Sequence, residues 1–365
     1  WLAAIARPPH LVTIVPNVTA ANYHDGWTYQ GGAFELGFNV SWTLLQLTLA
    51  NFKNISSHKN LAPGLEEQLG QAVDTMESSF RFLPLKEFPH LKQGLADYFY
   101  DWLAHPDYDD YWKRLSIEEN HSQLDIPTFN IGGWYDIFLG GTIKNYLGMQ
   151  ATKKQRKGSQ KLLIGPWVHG PDSIGSSGCG EMSFGDNAKI GIFELRLEWF
   201  DFWLKGIQNS VPEMPPVKIF TMGSNRWQHF SKWPPQPTRL TPLFFRKPSS
   251  FTTDSLNDGN LSYSRPQNSE QGDVYKYDPS DPVPTTGGAH LWEPNGIMDQ
   301  RPIEKRVLTY TSLPVETPVE ITGNVKAVIF AKTTARDTDW VVKLTDVHPD
   351  GRSMLVCDGI LRARY

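Results

Sequence analysis

Apolar positions change their spacing four times along the chain, and each change marks a structural unit. The run Leu11-Val12-Thr13-Ile14-Val15, ended by Pro16, predicts a buried parallel strand. A loop rich in glycine and aromatic residues follows, from Tyr23 to Gly37. Behind Pro63, Leu65, Leu69, Val73 and Met76 recur every three or four residues, and behind Pro89 so do Leu91, Leu95, Tyr98 and Leu103. These helices carry no strand signal and lie between two strand candidates, so they predict an inserted helical cap. Strand and helix then alternate: a strand over 127–135, a helix over 139–150, a strand over 161–167 and an amphipathic helix over 188–204. Such alternation implies a parallel sheet covered on both faces.

Beyond residue 212 short β-rich runs alternate with Pro, Gly, Asn and Asp. They fall at 217–222, 243–246, 307–311, 319–322, 327–331, 340–347 and 354–357, and predict a β-sandwich or jelly roll. The expected organisation is an α/β protein. Its core falls at 1–22 and 119–212, its cap at 23–118 and its β domain at 213–365.

Composition narrows the function. The 365 residues are 39% hydrophobic and 20% charged, with a formal net charge of -4. That is a globular composition without the positive footprint that nucleic acid or an anionic membrane requires. No apolar stretch of about 18 residues is present to span a bilayer. The two cysteines, Cys179 and Cys357, form neither a disulfide framework nor a zinc-ligand pattern. They read as free thiols of a reducing, cytoplasmic compartment. The basic run 153–157 reads as the solvated end of a helix.

In doubly wound sheets functional groups gather just beyond the carboxyl ends of strands. Asp136 follows Gly132-Gly133-Trp134-Tyr135, and His169 follows Gly165-Pro166-Trp167-Val168. An acid after one strand and a histidine after the next is the rear half of the α/β-hydrolase order, Ser then Asp then His. Imidazole titrates near neutrality and serves as base to a serine hydroxyl, while a carboxylate fixes its tautomer. Taken singly, Asp136 also suits a turn or N-cap and His169 a surface loop. A Gly-x-Ser-x-Gly elbow does not occur in the chain. Gly175-Ser176-Ser177-Gly178 follows the histidine with the wrong spacing, and Gly223-Ser224-Asn225 opens the β domain. The run Trp1 to Ala6 reads as the helix that follows such an elbow, which places the serine just before Trp1. Asp350-Gly351 and Asp358-Gly359 read as hairpin turns.

Seven stretches in order resemble the cocaine esterase family, grouped with X-Pro dipeptidyl-peptidases and the α-amino acid ester hydrolases. They are Tyr29-Gln30-Gly31-Gly32-Ala33, Gly133-Trp134-Tyr135-Asp136, Gly165-Pro166-Trp167-Val168-His169, Tyr277 to Pro284, Asp299-Gln300-Arg301-Pro302, Asp337-Thr338-Asp339 and Cys357-Asp358-Gly359. The resemblance implies that Asp136 and His169 are the acid and the base. It implies that Trp27, Phe138, Leu291 and Trp292 line a pocket between sheet, cap and jelly roll, and that the last jelly-roll strands follow Tyr365. It implies an acyl hydrolase fragment, catalytically silent by itself, that needs no metal or organic cofactor. The substrate expected is a small-molecule ester or a short peptide, and a homodimer is left open. Within the family, an X-Pro peptidase or amino ester hydrolase remains an alternative, with Asp25 as the anchor for a free amino group or else a turn residue. A non-catalytic protein that binds a glycan or partner is the alternative from another class.

Overall fold

A computed structural model describes the chain apart from residues 60, 93 and 153–157. The basic run 153–157 therefore lies outside the described residues. The central sheet has the order β3-β4-β7-β8, formed by Thr128–Tyr135 (β3), Gln160–Val168 (β4), Val217–Thr221 (β7) and Arg226–Phe230 (β8). The first three run parallel, and β8 returns antiparallel beside β7. The helix Leu139–Gln150 (α8) joins β3 to β4, the short hairpin Gly178–Cys179 (β5) with Met182–Ser183 (β6) and the helix Ile192–Lys205 (α9) follow β4, and Leu2–Ala6 (α1) is a short helix ahead of the sheet. Side chains of β4 alternate between two cores. Leu162 and Ile164 pack with Tyr146 of α8 and Val217 and Ile219 of β7. Leu163 packs with Phe129, Ile131 and Trp199 of α9. Burial on both faces accounts for the unbroken apolar run that the sequence shows there.

The segment 11–17 lies along β3 as predicted in direction, through parallel bridges from Ile14 to Thr128 and from Asn17 to Ile131. It is not the fully buried strand expected: Val12 is 44% exposed, and the pairing is two isolated bridges rather than a ladder. Val217–Thr221, read from sequence as part of the β domain, instead pairs in register with β4. The central sheet therefore runs past residue 213. A short apolar run before a polar hairpin carries no mark of which sheet it joins.

The helical segment read from sequence as a cap is built from Leu36–Ser41 (α2), continued by π-helical backbone over Trp42–Leu49, then Phe52–His58 (α3), Leu65–Asp74 (α4), Met76–Phe80 (α5), Asp97–Ala104 (α6) and Asp110–Lys113 (α7). It has a core of its own around Val40, Leu44, Leu69, Phe88, Leu91 and Phe99. The glycine-rich loop before it folds into a small hairpin, Tyr29–Gln30 (β1) with Ala33–Phe34 (β2). In the C-terminal region Phe244–Ser249 (β9), Gly259–Ser262 (β10) and Tyr310–Thr311 (β11) form one sheet in the order β11-β10-β9. Asp339–Val347 (β12) and Ser353–Arg362 (β13) form a long hairpin whose turn contains Asp350 and Gly351. Asp358 and Gly359 do not make a turn; they lie inside β13, paired with Lys343 and Val342. The runs 319–322 and 327–331, expected as strands, enter no ladder in the described structure, and their apolar side chains are exposed, Phe330 by 99%.

Two glycines set the geometry where β3 and β4 end. A Cβ at Gly133 would collide with the Trp167 carbonyl, and one at Gly165 with the Trp167 indole. Both glycines exist because Trp167, wholly buried, folds back between the strand ends and donates its indole N–H to the Ser176 carbonyl at 3.1 Å. Gly133→Ala should cost roughly 2 kcal/mol or more in urea unfolding, through forced repacking. Gly140→Ala in α8, where a Cβ meets nothing, should be neutral or stabilise by about 0.5–1 kcal/mol.

Candidate active site

The pairing of β3 with β4 contains an irregularity. Gly133 faces Gly165 and Tyr135 faces Val168, so β4 carries one extra residue at Pro166-Trp167. Such a bulge re-aims the residues that follow it. Here it brings the two next residues level, and they are Asp136 and His169. The His169 Nδ1 lies 2.7 Å from Asp136 Oδ2. The second carboxylate oxygen, Oδ1, accepts the Phe138 backbone N–H at 2.7 Å. Asp136 is buried (1% exposed), whereas 27% of the His169 side chain is exposed. A carboxylate only accepts, so the imidazole Nδ1 carries the proton that it donates to Asp136, and in the neutral form of the ring Nε2 is then the nitrogen with the lone pair.

An aromatic wall flanks the histidine. The Phe138 ring meets His169 edge-on at 5.3 Å, and Trp27 stacks on Phe138 at 4.7 Å. Trp27 also contacts Tyr23 and Phe38, and Phe38 stacks on Trp42. Of this wall the sequence singles out Trp27 and Phe138 but not Phe38 or Trp42. Their four-residue spacing at the start of the cap was the available signal. Trp292 reaches the cap, donating its indole N–H to Ser41 Oγ at 2.5 Å. Leu291 beside it is half-buried. Asp25 sits on the Trp27 loop, half-exposed, with Lys144 Nζ at 2.6 Å from its Oδ2. Lys144 also approaches Glu118 at 3.7 Å, and Glu118 accepts from Asn22 at 2.7 Å. Ser176 and Ser224 donate to the Gly178 and Thr221 carbonyls.

A second ionisable cluster joins the cap to the C-terminal hairpin. Glu35, between β2 and α2, is pushed up to about 7 by burial and then by the charge of Asp358 on β13. Burial also raises Asp358, opposed by Lys343 and His290, and lowers His290. Among the described residues no group of three or more His, Cys, Asp or Glu is placed to hold a metal ion. No helix there is long and apolar enough to cross a membrane.

Residues 1–171 match the pattern of the X-Pro dipeptidyl-peptidase (S15 family), and residues 209–365 match the X-Pro dipeptidyl-peptidase C-terminal non-catalytic domain. The chain belongs to this family of serine hydrolases. Cocaine esterase of Rhodococcus sp. (strain MB1 Bresler) is 33% identical over 374 aligned residues, covering 100% of this chain and 63% of that protein. A putative serine esterase of Mycobacterium bovis is 28% identical over 69% of this chain and 37% of its own length. The chain thus spans less than two thirds of these relatives. Among solved structures, an aminopeptidase from a Thaumarchaeota archaeon superposes with a TM-score of 0.72 at 22% identity, over 100% of this chain and 59% of that one. An α-amino acid ester hydrolase superposes at 0.68 and 22%, over 100% and 60%. At that identity the likeness speaks for the fold, an α/β-hydrolase with a C-terminal domain.

The raised carboxyl of Glu35 makes a pH prediction. A carboxyl with a raised folded pKa favours folding below its unfolded pKa, and that stability is lost as pH rises through the folded value. For Glu35 the window runs from about 4.5 to about 7. Glu35→Gln should match the parent in urea unfolding at pH 4 and exceed it at pH 8 by roughly 1–3 kcal/mol.

Proposed function

We propose that this chain is the base-bearing part of a serine acyl hydrolase, with Asp136 orienting His169 as general base. The nucleophile is then a serine in a Gly-x-Ser-x-Gly elbow upstream of Trp1, outside the sequence described. The observation that carries the reading is the 2.7 Å contact between His169 Nδ1 and a buried carboxylate whose other oxygen is held by a backbone N–H. His169 Nε2 takes the serine proton as the oxygen attacks the acyl carbonyl, and returns it to the leaving alcohol or amine. Water then repeats the sequence on the acyl-enzyme. The core is assigned to 1–22 and 119–212 with β7 and β8 added, the cap to 23–118, and the rest to a jelly roll.

Trp27, Phe138, Leu291 and Trp292, joined by Phe38 and Trp42, form the proposed acyl pocket, whose aromatic lining suits an uncharged ring or chain. Asp25 is a poor anchor for a substrate ammonium, because Lys144 already supplies one. An ester without a free amine is therefore favoured over an X-Pro amide. In the full-length protein, Asp136→Asn or His169→Ala should lower kcat toward p-nitrophenyl esters by about 10³–10⁴-fold with little change in KM. Retention of activity within tenfold would sink the assignment, and faster turnover of Ala-Pro-p-nitroanilide than of aryl esters would favour the peptidase reading. The 365-residue chain by itself should show no acyl-enzyme burst.

A further inference from the structure

The residue before the catalytic acid candidate is tied to a different part of the molecule. Tyr135 is buried (3% exposed), and its hydroxyl donates to two carbonyls of β13, Leu355 at 2.7 Å and Val356 at 3.0 Å. Those carbonyls sit at a second irregularity. Leu344 pairs with Cys357 but Thr345 with Leu355, so Val356 is an extra residue in β13. A bulge leaves local backbone groups without ladder partners, and the Tyr135 hydroxyl meets them here. Burial pushes this phenol far up, so it stays a donor across the working pH range. On its other side Tyr135 faces Val168, the residue before His169. Asp136 is thus one residue from a side chain clamped between two bulges, and His169 is one residue from the strand partner of Tyr135.

The opposite end of β13 is held by the cap. Arg362 N–H donates to the Gly31 carbonyl at 2.8 Å, and a Cβ at Gly31 would strike the Ile360 carbonyl. The strand therefore spans from the cap hairpin to the end of β3. We propose that Tyr135 is a positioning residue, whose hydroxyl uses β13 to hold the Asp136 carboxylate in register with His169. The inference rests on the acyl-hydrolase reading for its kinetic consequence, though not for the geometry itself. A phenylalanine would fill the same buried volume, so the hydroxyl is what separates positioning from packing.

The test has two arms. In the full-length enzyme, Tyr135→Phe should lower kcat toward aryl esters about 10–100-fold, as small misplacements of catalytic groups do, while KM stays within about twofold. Replacement of Tyr135 by 3-fluorotyrosine, which keeps the hydroxyl, should restore kcat. In the 365-residue chain, ¹⁵N spectra of His169 should show the single Nδ1–H tautomer in the parent and a mixture in Tyr135→Phe. Unchanged kcat, a loss carried by KM alone, or an unchanged tautomer in the variant each overturns the proposal. If the parent enzyme turns over no ester or amide, the hydrolase reading fails, and the tautomer arm still decides the coupling.

Discussion

The hydrogen bond between the Asp136 carboxylate and the His169 imidazole requires two neighbouring strands to end level with each other. Strands β3 and β4 do so only because β4 takes up one extra residue at Pro166-Trp167. That residue count needs room, and the room comes from Gly133 and Gly165, which let the Trp167 indole and carbonyl fold back between the strand ends. The motif Gly-Trp-Tyr-Asp is therefore not four independent contributions. Gly133 admits Trp167, the Trp134 indole N–H holds the Phe220 carbonyl of β7 at 2.7 Å, Tyr135 holds β13, and Asp136 holds the histidine. Each side chain fastens the strand end to a different neighbour, and a rigid scaffold around a hydrogen-bonded pair is what preorganised catalysis demands.

The same logic extends outward. The aromatic wall from Phe138 through Trp27 to Phe38 and Trp42 links the histidine to the first helix of the cap. Trp292 ties that helix, through Ser41, to a loop of the C-terminal region between β10 and β11. A chain of contacts thus runs from His169 through Phe138, Trp27 and the first helix of the cap to Trp292. Glu35, where the cap begins, has its carboxyl raised by burial and by the charge of Asp358 on β13, which makes that junction sensitive to pH.

What was legible in the sequence follows from how local its cause is. Strands β3 and β4 and helix α8 are written in apolar runs that need no partner to be read, and the two strand ends name Asp136 and His169 directly. The membership of β7 was not legible, because pairing with β4 is a long-range choice that a five-residue strand does not advertise. Asp358-Gly359 carried the residue signature of a turn, yet tertiary pairing with Lys343 and Val342 overrides it. The runs 319–322 and 327–331 have strand composition and no ladder, since composition reports what a segment favours and not whether a neighbour is there. Phe38 and Trp42 have helical spacing, but spacing alone does not say that this face of the helix meets Trp27.

The most direct test of the central pair is the proton on His169 Nδ1. In proton NMR of the 365-residue chain, a carboxylate-bound imidazole N–H shielded from exchange should give a low-field resonance that disappears in both His169→Ala and Asp136→Asn. Absence of that resonance from the parent chain, or its survival in Asp136→Asn, would contradict the account.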